Sequence, residues 1–177
     1  MNKRYFNLLK QWCDKLIELQ VPESYGELLA GGVLCPACHY IHGRCGDAIY
    51  PMLTMAKITR DKKYLDSALK LYEWTENVMS MPDGSINNDA FGYWKGISAF
   101  SAIGLAEALH YHSDLLDKAT IQKWKKRIKE LTDFVVPYID NMLSAVNYKM
   151  ALPATLAFAG KILGDESYIK SAANMPR

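Results

Sequence analysis

DKKYLDSA at Asp61–Ala68 returns at Asp165–Ala172 as DESYIKSA, 104 positions further along the chain. Both copies obey D-x-x-Y-[L/I]-x-S-A, in which an aspartate suited to cap a helix is followed by a tyrosine one turn in. Ser113-Asp114-Leu115-Leu116 falls between them, its aspartate at offsets of 53 and 51. A period near fifty residues is too long for one helix and suits a helical hairpin, present here nearly three times.

Outward from these caps, two kinds of helix alternate. Phe6, Leu9, Trp12, Cys13, Leu16 and Ile17 share a face over about residues 3 to 20, a helix ended by Val21-Pro22. A helix from about Gly46 is apolar on most sides, as are GISAFSAIGLAEALHY and AVNYKMALPATLAFAGKIL. The helices after Asp61, near 118 to 138 and after Asp165 are amphipathic, Trp124, Ile128, Leu131, Val135 and Tyr138 forming one stripe. A helix without a polar face must be covered on both sides, whereas its partner faces water. The pattern therefore predicts an inner and an outer layer. No alternation persists over a strand's length, and the fold class is all-α.

The architecture resembles the six-hairpin (α/α) toroid of carbohydrate-active enzymes. These include unsaturated glucuronyl hydrolases, related glycoside hydrolases, and the toroid portion of heparinase-type polysaccharide lyases. HGRCGDAIYPMLTMAKITRDKKYLDSALKLYEW, residues 42–74, resembles the first complete hairpin of glycoside hydrolases of gut and marine Bacteroidetes. The resemblance implies a ring of about six hairpins, whereas this chain holds three and a leading helix. Residues 1–177 are thus expected to form one helical domain within a larger toroid, the half ring exposing apolar inner helices that favour self-association. The terminal Arg177 fits a truncated product or a trypsin-like cut.

The resemblance also places sugar binding at the loops that lead into the inner helices. These are His39 to Asp47, Asp83 to Lys95, and Asn141 to Lys149. They supply His42, Arg44, Asn88, Tyr93, Trp94, Asn147 and Tyr148 as candidate substrate contacts. Glycoside hydrolysis needs two carboxyl groups across the scissile bond, and Asp47 and Asp89 are the expected pair, with Asp140 a weaker third. Asp47 has the competing role of a helix N-cap. A lyase of the same fold would instead use Arg44 or Asn88 against a uronate carboxylate, and His42, Tyr93 or Tyr148 to take the proton. Hydrolysis of an oligosaccharide, uronate-containing among the options, is the leading expectation. A non-catalytic helical interaction module is the alternative from another class.

Cys35, Cys38, His42 and Cys45 lie within eleven residues and are the right types for tetrahedral zinc, with His39 as a substitute. Buried free thiols are the first expectation for this cluster, a Cys35–Cys38 disulfide another, and no cofactor is required. His110 and His112, at a helix C-terminus, are expected to be structural. Pro51 and Pro153 are expected to kink inner helices.

Composition is that of an ordinary globular chain: 50% hydrophobic, 23% charged, net charge +2. That balance gives no reason to expect nucleic acid or a membrane as partner. The run Lys123, Lys125, Lys126, Arg127, Lys129 is expected to be a solvated face. The apolar stretch Ile97 to Leu109 is broken by Glu107 and too short to span a bilayer. As written the chain would be cytoplasmic, or periplasmic or secreted if a signal peptide has been removed.

Overall fold

A computed structural model describes residues 2–89, 93–140 and 146–175. Seven helices are described: α1 (Lys3–Glu18), α2 (Ile49–Thr59), α3 (Lys62–Trp74), α4 (Ser98–His112), α5 (Lys118–Asp140), α6 (Val146–Leu163) and α7 (Glu166–Ala173). Among the described residues there is no strand, only the isolated bridges Gln20–Val33, Leu34–Ile41 and Ser80–Ile86. No described helix is long and apolar enough to cross a membrane.

The layers follow the predicted alternation. α2, α4 and α6 are the inner helices, and they run in the same direction side by side. Thr54 Oγ1 of α2 lies 2.9 Å from His112 Nε2 in the last turn of α4. Lys57 Nζ donates to the Tyr111 carbonyl at 3.0 Å, and Thr155 Oγ1 of α6 donates to the Ala99 carbonyl of α4 at 3.3 Å. α3, α5 and α7 each return along the inner helix that precedes them. Met52, Leu53, Met55, Tyr64, Leu71, Tyr72, Trp124, Ile128 and Leu131 form the main core. A smaller cluster of Ala99, Val135, Ile139, Leu152 and Leu156 lies between α4, α5 and α6. α6 leaves Val146 70% and Met150 72% exposed.

The repeated octapeptide has a tertiary meaning. Asp61 and Asp165 accept from the Lys63 and Ser167 N–H groups as N-caps. Tyr64 donates to Asp14 of α1 at 2.7 Å, where Lys10 and Lys63 also converge. Tyr168 donates in the same way to Asp133 of α5, which is paired with Lys129 four residues earlier. Each tyrosine therefore pins its outer helix to the outer helix before it. A hydrogen bond to a charged group contributes about 1.5–3 kcal/mol, less near solvent. Tyr64→Phe and Tyr168→Phe should each lower the unfolding free energy by about 1 kcal/mol in urea titrations. Equal stability of Tyr64→Phe and the parent would show that the Asp14 contact contributes nothing.

Several local expectations are corrected. The middle cap is Asp117, not Asp114: Asp117 Oδ1 accepts from the Thr120 N–H, while Ser113–Leu115 is a 3-10 turn. Asp47 does not cap α2. It lies in a 3-10 turn over Gly43–Ala48, and Ala48 precedes the helix without a side-chain cap. Pro51 stands in the first turn of α2, where its missing N–H costs no helical bond; only Pro153 is inside its helix. His112 is buried against Thr54, consistent with its structural role. Arg127, expected on a solvated face, is 4% exposed.

The segment 20–45, without any helical period, is stitched onto α3. Gln20 Nε2 donates to the Gly31 and Ser67 carbonyls, Ser67 Oγ donates to Gln20 Oε1, and Trp74 Nε1 donates to the Leu28 carbonyl. Gly31 adopts φ +92°, and a Cβ there would stand 2.7 Å from the Lys70 carbonyl oxygen. This close docking fixes where the first candidate loop begins.

Candidate functional site

Because the inner helices run parallel, their N-termini and the loops before them share one end. The first two loops are joined by backbone: the Gly43 N–H donates to the Asn88 carbonyl at 2.6 Å. A Cβ on Gly43 would sit 2.1 Å from the Asn87 oxygen, so only glycine permits this approach. Asn88 is held further by its N–H to the Trp94 carbonyl and by its side-chain amide to Asp89 Oδ2, both near 3 Å (3.0 and 3.1 Å).

Arg44 lies on the other side of this junction. Its Nε and Nη2 donate to Asp47 Oδ2 at 3.1 and 2.8 Å, and its guanidinium carbon stands 5.0 Å over the Phe100 ring of α4. Phe100 meets Tyr148 of α6 edge-on at 5.3 Å, and Tyr148 meets Trp94 edge-on at 5.0 Å. Trp94 Nε1 donates to the Tyr148 hydroxyl at 2.8 Å, and Tyr138 packs against Trp94 at 6.4 Å. Arg44, Phe100, Tyr148, Trp94 and Tyr138 thus form a continuous cation–aromatic wall built by all three inner-helix starts. Such a wall can stack on sugar rings and present a guanidinium to an anion.

Burial raises the Asp47 carboxyl above its ordinary range, and the Arg44 guanidinium only partly offsets this. Its Oδ1 is buried without a hydrogen-bond partner. Asp47 therefore anchors Arg44 at a cost in desolvation. Tyr93 is 92% exposed and Asn147 is exposed; neither is drawn into the wall. Residues 141–145 of the third loop, and the side chain of Asp140, lie outside the described residues.

A separate cleft of about 1030 Å³ opens behind the first loop, lined mainly by apolar side chains of segment 19–41 with Trp74 and Val78. His39, His42 and Asp89 reach its edge. So Asp89 and His42 border this cleft, whereas Arg44, Trp94 and Tyr148 belong to the wall.

The four-ligand zinc set is corrected. Cys35 Sγ, Cys38 Sγ and a His42 ring nitrogen lie within 4.8 Å of one another. Cys45 does not join them; its sulfur is buried against the Val33 N–H, and burial pushes the thiol up to about 12. Phe100 and Tyr138 were missed by sequence reasoning. Phe100 had a signal, as the one aromatic among the small residues of GISAFSAIG; Tyr138 read only as part of a core stripe.

The fold and wall define the partial ring of a helical-hairpin toroid with its loops gathered at one end. The chain belongs to the ulvan lyase N-terminal domain family, whose model matches residues 9–177. It is 36% identical over 171 residues to a broad-specificity ulvan lyase of Formosa agariphila, covering 95% of this chain and 26% of that protein. The chain thus spans about a quarter of the length of this relative. No solved structure matches. The relative is a lyase, which overturns the expectation of a glycoside hydrolase using Asp47 and Asp89 as acid and base. Asp47 Oδ2 accepts from Arg44, and Asp89 accepts from Asn88 beside a different cleft.

Proposed function

We propose that this chain supplies part of the substrate-binding end of a polysaccharide lyase acting on a uronate-containing polysaccharide of the ulvan type. The observation that carries this is the convergence of Arg44, Trp94 and Tyr148 from three inner-helix starts onto one wall. Membership of a lyase-named family and the similarity to an ulvan lyase support it.

Elimination at a uronate removes the proton on the carbon next to the carboxylate. The electron pair forms a C=C bond, the neighbouring C–O bond breaks, and the leaving oxygen takes up a proton. The step needs a cation or strong donor at the carboxylate, to stabilise charge spreading onto it, and a base at the α-proton. Arg44 fits the first role, because Nε and Nη2 are tied to Asp47 while Nη1 has no hydrogen-bond partner among the described residues. Tyr148 fits proton transfer better than His42, whose ring nitrogen is 3.0 Å from Cys38 Sγ. Trp94, fixed by its bond to Tyr148, offers the stacking face.

The test combines binding and chemistry. In gels containing ulvan the parent should be retarded, and Arg44→Ala should lose that retardation about tenfold or more, the scale of one charge-assisted contact. Tyr148→Phe should keep binding and lower formation of the unsaturated product, followed by ultraviolet absorbance, by about 10²–10⁴-fold. No binding by the parent, or cleavage that yields reducing ends without the unsaturated chromophore, would sink the proposal.

A further inference from the structure

The turn from Cys35 to His42 has an organisation that the wall and the cleft do not explain. It is a closed hairpin: Leu34 and Ile41 form a bridge, and the Cys35 N–H donates to the Tyr40 carbonyl at 2.8 Å. The His39 N–H donates back to the Cys35 carbonyl at 2.9 Å, and His39 itself takes φ +61°, a left-handed conformation rare outside glycine. This bend returns the chain so that Cys38 and His42 come to face Cys35. The backbone N–H groups of Ala37 and Cys38 are aimed at the Cys35 sulfur.

The three ligand atoms lie within 4.8 Å of one another, with Cys38 Sγ and His42 Nε2 at 3.0 Å. In tetrahedral zinc, with bonds of about 2.3 Å to sulfur and about 2.0 Å to nitrogen, ligand atoms stand roughly 3.5–3.8 Å apart. Small rotamer adjustments bring this set to that spacing. Cys35 and His42 are half-buried and Cys38 is exposed, so an ion can reach them. We propose that Cys35, Cys38 and His42 bind one zinc ion, with water in the fourth position. Cys45 is excluded because its sulfur lies outside this cluster, on a partly buried side chain packed against the main core.

On binding, the two thiols release their protons to solvent and His42 binds through a neutral ring nitrogen. The ion locks the 35–42 hairpin immediately before Gly43, the residue that docks the first loop onto the second. It acts as a structural clamp beside the wall and takes no part in the elimination. The proposal stands whether or not the chain acts on a polysaccharide.

The purified chain, reduced first with a phosphine and dialysed against zinc and then buffer, should retain about one zinc per chain by elemental analysis. Cobalt added to the reduced apoprotein should give the intense visible bands of a tetrahedral site with thiolate-to-cobalt charge transfer. Cys35→Ser, Cys38→Ser and His42→Ala should each lose the metal and the charge-transfer intensity, whereas Cys45→Ala should keep both. The cobalt spectrum of the unaltered chain decides the matter even if a variant fails to fold. Three results would overturn the proposal: no metal retained by the reduced chain, a cobalt spectrum without charge transfer, or full retention in Cys35→Ser and Cys38→Ser. A mass lower by two hydrogens that returns after each reduction, with no metal bound, would assign the pair to a disulfide instead.

Discussion

Arg127→Met should destabilise the chain by about 3–5 kcal/mol, the cost of breaking a buried ion pair by removing one member. Arg127 is 4% exposed, and its Nε lies 2.8 Å from Glu76 Oε1, close as an ion pair but poorly angled for a hydrogen bond. Its Nη2 donates to Ser80 Oγ at 2.7 Å and to the Ser85 carbonyl at 3.1 Å, and Nη1 reaches the Gly84 carbonyl at 3.4 Å. One guanidinium therefore holds the end of α3 and the 80–85 turn against α5. Methionine replaces its volume but none of these donors. Glu76, whose carboxyl burial already raises against the pull of Arg127, would be left partly buried without its nearest cation, keeping only the Ser80 hydroxyl at 3.2 Å and the more distant Lys123. Guanidinium unfolding should show the loss as a lower midpoint. The double variant Arg127→Met with Glu76→Gln should recover a substantial part of it, because removing both charges is far less costly than removing one. A single-variant loss under about 1 kcal/mol would show that the clamp is dispensable.

The second large effect is at Gly43. A methyl group there meets the Asn87 carbonyl oxygen at 2.1 Å and the Ile97 Cδ1 at 3.0 Å, and backbone oxygen cannot swing away as a flexible side chain can. Gly43→Ala must push the first loop off the second, breaking the 2.6 Å bond from Gly43 N–H to the Asn88 carbonyl. Overpacking of this kind costs about 1–3 kcal/mol, and a broken buried backbone bond adds roughly 1–3 more. Because Arg44 follows directly and Trp94 is tied to Asn88, polysaccharide retardation should fall with stability. Gly104→Ala is the control. A Cβ there meets nothing within 4 Å in the interior of α4, and the substitution should stabilise by about 0.5–1 kcal/mol. Thermal melts of the two variants should move in opposite directions; movement in the same direction would contradict the packing at Gly43.

Neither periodicity nor geometry separates a hydrolase from a lyase here. Both chemistries draw on carboxylates, cations and aromatics near helix starts, and fold alone does not select between them. In the proposed lyase reading Arg44 and Tyr148 carry the roles that a hydrolase would give to Asp47 and Asp89.

What the amino-acid sequence determined by itself was mostly of short range. Helix faces follow from spacings of three and four, caps from single aspartates, and the inner and outer layers from which helices lack a polar side. Asp61 and Asp165 were legible as caps because a cap bonds two residues away. The contacts that only the tertiary structure decided join residues far apart in the chain. Tyr64 reaches Asp14, Arg127 reaches Ser80 and Ser85, Trp94 reaches Tyr148, and Gly43 meets Asn88. Cys45 shows the same limit within one loop: its spacing suits a metal knuckle, but its side chain packs against the main core. Spacing along the chain fixes direction only within a regular element. Where the chain turns, packing against distant residues decides which side chains meet.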